Sequence, residues 1–418
     1  MSAQEEIYSV RSRIYRLVNF LGRRFADRVS LTEEDLLKKA RGLTGLSDWG
    51  GDEFRAPLSA LLGSYETDAR LNFLGRLSTR RELIHRLANR LRIREDLRRH
   101  PEILKTPIRR PLFITGLPRT GTTFLHRLLA LDTACRSLQL WELLEPSPPP
   151  ESRTYESDSR RKRLGLWFFL RTRLFFSRRG RLQARAIHNT RYDAPEECWP
   201  LFQNGFLADI FSLQSRLISY NEWLREREMA GAYEYYRRQL QLLLWRCPAD
   251  RLVLKSPAHL NHLDALFHVF PDARVVWMHR DPIKTIPSLC SLVTFARATR
   301  SDNVDHHEIG RFILDYAERS IDSALCVREG ADPARFCDID YYDMLKDPIR
   351  IVRKIYAHMG DNLSIEAERR MKRWLDGNHK GRYGDHSYGL GDFGLDAGEI
   401  ECRFETYCKR FSIPREQG

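Results

Sequence analysis

The chemistry most open to reading lies in Gly116-Leu117-Pro118-Arg119-Thr120-Gly121-Thr122-Thr123, set between a short apolar run, 112–115, and a helix-like run that starts Phe124-Leu125-His126. Glycines let backbone N–H groups close on an anion, a helix start adds partial positive charge, and threonine hydroxyls donate to phosphate oxygens. Arg280 follows a second apolar run, 274–279, and Ser288 comes eight residues later on the next helical stretch. A guanidinium and a hydroxyl so spaced can hold a second phosphate. A third run, 251–255, ends in Lys255, which can balance negative charge on a departing oxygen, and His259 is a natural general base near neutral pH. The acidic turn Asp193-Ala194-Pro195-Glu196-Glu197-Cys198-Trp199 competes for that role, since a carboxylate in a partly dry cleft gains basicity. Paired acids after proline also commonly do no more than open a helix.

The loop has the outline of a GxxxxGK[ST] phosphate loop, with Thr122 where lysine belongs and Arg119 three positions earlier, so an ATPase or kinase loop fits it poorly. From Pro118 to Phe124 it resembles at every position the 5′-phosphosulfate loop of the sulfotransferases that use 3′-phosphoadenosine 5′-phosphosulfate (PAPS), Pro-(Lys/Arg)-(Ser/Thr)-Gly-Thr-Thr-aromatic. The resemblance implies that Arg119, Thr120, Gly121, Thr122 and Thr123 hold the 5′-phosphosulfate and that Phe124 stacks on adenine. It implies that Arg280 and Ser288, at the family's eight-residue spacing, hold the 3′-phosphate, and that Tyr341, in a Tyr-x-Asp context, contacts adenine. Asn378-His379-Lys380-Gly381-Arg382-Tyr383-Gly384-Asp385 has the family's Lys-Gly-x-x-Gly-Asp form and adds Lys380, Gly381 and Arg382 to the donor site. The aromatic and lysine that follow this motif elsewhere are replaced by His386 and Ser387, and the continuation through Leu395 is closer to bacterial branches. Cytosolic relatives place the catalytic histidine two residues after the lysine, whereas His259 follows by four; other branches use glutamate. The catalytic set is thus Arg119 and Lys255 with either His259 or the Glu196/Glu197 pair as base. The resemblance covers residues 111 to 410.

These residues need a sheet to present them. The apolar runs 112–115, 251–255, 274–279 and 335–341 have the length of buried parallel strands, and helix-like segments alternate with them. The fold class expected is α/β, a central parallel sheet flanked by helices as in phosphate-loop proteins, with ligand groups at the strands' carboxyl ends. Residues 1–105 carry helical periodicity, as in Ser30-Leu31-Thr32-Glu33-Glu34 and Arg80-Arg81-Glu82-Leu83, and are expected to form a helical extension to a body spanning 106–418.

Composition bounds the alternatives. With 418 residues, 42% hydrophobic and 30% charged, the chain can bury a large core. A formal charge of +13 favours phosphate-bearing partners and motivates a second reading, a basic anion or nucleic-acid binder; a third is a nucleotide-dependent kinase. Under the sulfotransferase reading no nucleic acid is expected, the co-substrate is PAPS with 3′-phosphoadenosine 5′-phosphate (PAP) as product, and no metal is required. Eight cysteines without a CxxC pair read as reduced thiols. With no long apolar run and no signal-like start, the protein is expected to be cytoplasmic and at most peripheral to a membrane. Basic and aromatic residues interleave over 160–179, which suits either an amphipathic helix over its own core or contact with anionic lipid. Aromatic-rich 167–176 and 199–211 point to a bulky apolar or lipid-like alcohol as the hydroxyl-bearing acceptor.

Overall fold

Five parallel strands make the central sheet of the computed structural model, which describes residues 10–187, 191–377 and 389–416. They are β1 (Leu112–Gly116), β2 (Cys135–Arg136), β3 (Arg251–Lys255), β4 (Arg274–His279) and β5 (Phe336–Asp340), in the order β2-β3-β1-β4-β5. All four apolar runs expected to be strands are strands, within one residue at each end. The edge strand β2 was not expected: two residues leave no run to detect.

The middles of β1, β3 and β4 are apolar because both faces are covered, with polar residues at the strand ends and in β5 at Asp338 and Asp340. Phe113, Leu254, Val275 and Trp277 enter one core, while Ile114, Val253, Val276, Met278 and Ile339 enter the core on the opposite face. Truncating a fully buried side chain such as Phe113 to alanine is worth about 3–5 kcal/mol of stability.

The helices used below are α1 (Arg13–Gly22), α2 (Phe73–Arg99), α3 (Thr122–Leu129), α4 (Ser159–Phe175), α5 (Ala230–Trp245) and α6 (Pro282–Ala298). The region before β1 is helical, and Leu36, Leu58, Leu61 and Leu87 from it share the core that contains Leu254 and Trp277. Among the described residues no helix is long and apolar enough to cross a membrane.

Connectivity determines where ligands can sit. β1 lies between β3 and β4, so the chain goes to one side for β2 and β3 and crosses to the other for β4 and β5. The carboxyl ends around such a crossing open a crevice. Gly116, Lys255, His279 and Asp340 end their strands at this one edge.

Candidate active site

The loop after β1 is held in an uncommon backbone path. Gly116 has φ 146°, and a Cβ there would lie 2.4 Å from the Met278 carbonyl oxygen; Gly121, with φ 87°, is the N-cap of α3 and would press a Cβ into Met344. Both positions require glycine. Arg119, with φ 75°, is the loop's non-glycine residue in the left-handed region, a conformation that persists only where surroundings impose it. The Thr120 hydroxyl donates to the Leu117 carbonyl at 2.8 Å and is fully buried, so this side chain braces the turn and leaves its main chain to face an anion. Thr122 is buried at the start of α3.

Arg119 and the segment after β4 meet directly. Arg119 Nε donates to Ser288 Oγ at 2.9 Å, and Arg280 Nη1 donates to the Arg119 carbonyl at 3.1 Å. Ser288 reaches the loop because α6 starts where β4 ends, with Pro282 in its first turn and Asp281 capping the Ile283 N–H. The Arg280 guanidinium lies 4.1 Å from the centroid of the Tyr341 ring, whose edge also lines Gly121. Burial and the neighbouring Arg280 together push Arg119 below the usual arginine range. Two arginines gathered at one sheet edge are chemically suited to an anion. The carboxylate of Glu416 sits there: it accepts from Arg280 Nε at 2.8 Å and Nη2 at 3.1 Å. Burial alone would lower Arg280, but Glu416, with Tyr341 and Tyr342 beside it, holds it above its ordinary value.

Lys255 is fully buried at the end of β3, where Nζ donates to Glu197 Oε1 at 2.7 Å and Thr123 Oγ1 at 3.1 Å, with Glu196 Oε1 at 3.9 Å. The acidic turn is fastened to this edge by main-chain bonds, Glu196 N to the Leu138 carbonyl and Cys198 N to the Lys255 carbonyl, both 3.0 Å. Glu196 also accepts from the Glu197 N–H at 3.0 Å. A buried ammonium beside the phosphate loop thus has a partly exposed carboxylate on its open side.

His259 stands elsewhere. It lies in the 3₁₀ turn Pro257–His262 with its ring edge-on to Phe113 at 5.0 Å and Nδ1 2.7 Å from the hydroxyl of Tyr233 on α5. Nε2 has no hydrogen-bond partner, and burial, aided by His262, pushes the ring down to about 3.

Phe124 packs against Trp374, ring centroids 5.6 Å apart. Lys380, Gly381 and Arg382 lie outside the described residues. Sequence reasoning missed Trp374 and Glu416; a tryptophan six residues before Lys380 was the available signal for the first, and nothing local marked the second. The aromatic run 199–211 serves mainly the core, with Phe206 and Phe211 fully buried. Among the described residues no cluster of histidine, cysteine, aspartate or glutamate is arranged to hold a metal ion.

Known proteins carry the same architecture. The crystal structure of the sulfotransferase STF9 from Mycobacterium avium superposes with a TM-score of 0.85 at 32% identity, covering 93% of this chain and 99% of that one. STF1 from Mycobacterium tuberculosis H37Rv gives 0.78 at 33% identity, covering 90% and 98%. The omega-hydroxy-beta-dihydromenaquinone-9 sulfotransferase Stf3 of Mycobacterium bovis and of Mycobacterium tuberculosis is 26% identical over 262 residues, 60% of this chain. The match spans only 62% of the length of those curated relatives. A model described as the sulfotransferase family matches residues 111–364. Since that span begins one residue before β1 and takes in every strand of the sheet, the chain belongs to the sulfotransferase family.

Proposed function

We propose that the protein transfers the sulfuryl group of PAPS to the hydroxyl of an apolar, lipid-like alcohol. The observation that carries this reading is the joined cluster of Arg119, Ser288 and Arg280 beside the Lys255–Thr123 contact at one sheet edge. The cluster suits a phosphate because it already holds an anionic carboxylate, that of Glu416, in the fork of Arg280. When bound, PAPS supplies a sulfuryl group on its 5′-phosphate and leaves as PAP.

In this reading Arg280 and Ser288 bind the 3′-phosphate, Tyr341 and Phe124 flank adenine, and the 116–123 loop with Arg119 cradles the 5′-group. Lys255 offsets charge on the departing phosphate oxygen. Glu197 takes the acceptor proton; its support is adjacency to Lys255 and partial exposure, which His259, enclosed by aromatic rings, lacks. Glu196, buried behind it, positions Glu197 and Lys255. Lys380, Gly381 and Arg382 belong to the donor site by motif.

The acceptor class draws on the name of Stf3, whose stated substrate is a hydroxylated menaquinone. Segment 160–179 belongs to a surface that would meet a membrane carrying such a substrate. Residues 1–105 are taken as the helical extension and 106–418 as the catalytic body. Eight free thiols fit a reducing, cytoplasmic setting. This reading displaces both the kinase and the nucleic-acid binder.

Calorimetry tests it. PAP should bind in preference to ATP and ADP, and Arg280→Ala should weaken PAP by well over tenfold, roughly the loss of a charge-assisted fork. Equal binding of ATP and PAP would return the kinase reading; no nucleotide binding would leave the anion binder.

A further inference from the structure

Sixteen large hydrophobic side chains are conspicuously exposed among the described residues, and ten of them belong to two segments, 14–25 and 166–182. Ile14, Leu17 and Leu21 recur at helical spacing on the outer side of α1, as Leu166, Phe169 and Leu170 do on α4. The segments are tied together: Ser12 N donates to the Phe175 carbonyl at 3.0 Å, Ser177 N to the Val10 carbonyl at 2.9 Å, and Arg11 bridges Phe176 in antiparallel fashion. Both helices also rest on the start of α2, α1 through Gly22 against Phe73 and α4 through Trp167 under Arg81. Their apolar stripes therefore adjoin on the outside of the molecule.

Charge says what covers this face. Residues 10–28 hold six arginines and one aspartate, and residues 159–187 hold ten basic residues and no acid. The surplus of fifteen in these two stretches exceeds the thirteen of the whole chain, so the remainder is close to neutral. Of these basic residues, Arg11 is buried and paired with Asp302, and Arg160, Arg161 and Arg163 are paired with Asp158, Glu156 and Glu145, which leaves the others to set the charge of the face. Others lie over the exposed rings themselves: Arg23 over Phe20, Arg28 over Phe25 and Arg173 over Phe169. Such arginines hold their stems along apolar surface and their heads at its rim. A second copy of this chain would bring the same cations against them, so self-association is opposed.

We infer that α1 and α4 together form a docking face for an anionic phospholipid bilayer, the apolar stripes entering the acyl boundary and the arginine rim meeting headgroup phosphates. The inference deepens the lipid-alcohol reading and rests on it for its purpose, since a face lying on the bilayer gives the enzyme access to an acceptor dissolved there.

The test uses the full chain and vesicles, without nucleotide or acceptor, so that its failure leaves the donor site untouched. The protein should sediment with phosphatidylcholine vesicles containing phosphatidylglycerol, and at least tenfold less with phosphatidylcholine alone or in high salt. Leu17→Asp/Phe169→Asp should lower partitioning at least tenfold while PAP affinity stays unchanged. If that variant folds poorly, Arg16→Gln/Arg24→Gln/Arg173→Gln gives the same readout through charge. Absence of vesicle binding, or binding indifferent to these substitutions, overturns the inference. So does a wild-type dimer in sedimentation velocity that Leu17→Asp/Phe169→Asp dissociates, which would assign the face to a second copy.

Discussion

The guanidinium of Arg280 is gripped on two nitrogens by the carboxylate of Glu416, 136 residues further along the chain. The Glu416 main chain is itself fastened, its N–H donating to Asp281 Oδ2 at 2.8 Å. A carboxylate and a phosphate make the same demand on an arginine fork, so the two cannot occupy it together.

Replacing the carboxylate should therefore free the site. Glu416→Gln is expected to tighten PAP binding about tenfold, near 1.4 kcal/mol, the scale of one displaced charge-assisted contact. Calorimetry on wild type, Glu416→Gln and Arg280→Ala separates the outcomes. An unchanged affinity in Glu416→Gln, with Arg280→Ala still defective, would mean that Glu416 leaves the fork without cost.

The next expectation concerns the proton. Lys255 and Glu197 are 2.7 Å apart beside Thr123. Glu197→Gln should lower turnover by about 10²–10⁴ with PAP affinity kept, the usual range for a lost general base. Lys255→Met should reduce turnover by about 10² or more through loss of charge stabilisation. His259→Gln should act through stability, by breaking the contact with Tyr233. Turnover that survives in Glu197→Gln and collapses in a well-folded His259→Gln would reverse the assignment.

What could be read from sequence follows from how local each feature is. β1, β3 and β4 have apolar runs at their centres and the phosphate loop is eight consecutive residues, so each declares itself without tertiary information. The edge strand β2 has two residues and no pattern. Arg280 was legible, but its partner Glu416 was not, because the pairing depends on how the segment after Phe411 returns across the sheet edge. The sequence leaves the base open between His259 and the Glu196/Glu197 pair for the same reason. Both lie near Lys255 in the chain or in a motif, and only packing decides that one ring turns in among Phe113, Phe202 and Tyr236 while the other side chain meets the lysine. The exposed stripe of α1 was hidden differently: helical periodicity predicts an amphipathic helix and a buried apolar face, and here several of the apolar residues point outward.

Three histidines withdrawn from water, His126 and His259 buried and His85 partly so, should set the acid limit of the fold. His85 titrates at about 4, His126 at about 3 and His259 at about 3, each chiefly because burial disfavours the imidazolium; the nearby Arg86, Lys255 and His262, respectively, add to it. In the unfolded chain each titrates near its ordinary value, about 6.5. Above that pH neither state is protonated and the stability is fully present. As pH falls below about 6.5 the unfolded state takes up protons that the folded state refuses, so stability is lost down to the folded values. Each histidine contributes a slope of about 1.4 kcal/mol per pH unit, and three together about 4. Most carboxylates remain ionised above about pH 5, so the histidines dominate the upper part of the decline. Urea unfolding followed from about pH 7.5 to 5.5 should show midpoints that fall steeply below about 6.5. In His126→Gln the slope should lessen by about one proton even if the midpoint itself drops through loss of the contact with the Val253 carbonyl. A profile flat over that interval would mean that these imidazoles are charged in the folded protein and that their pockets admit water.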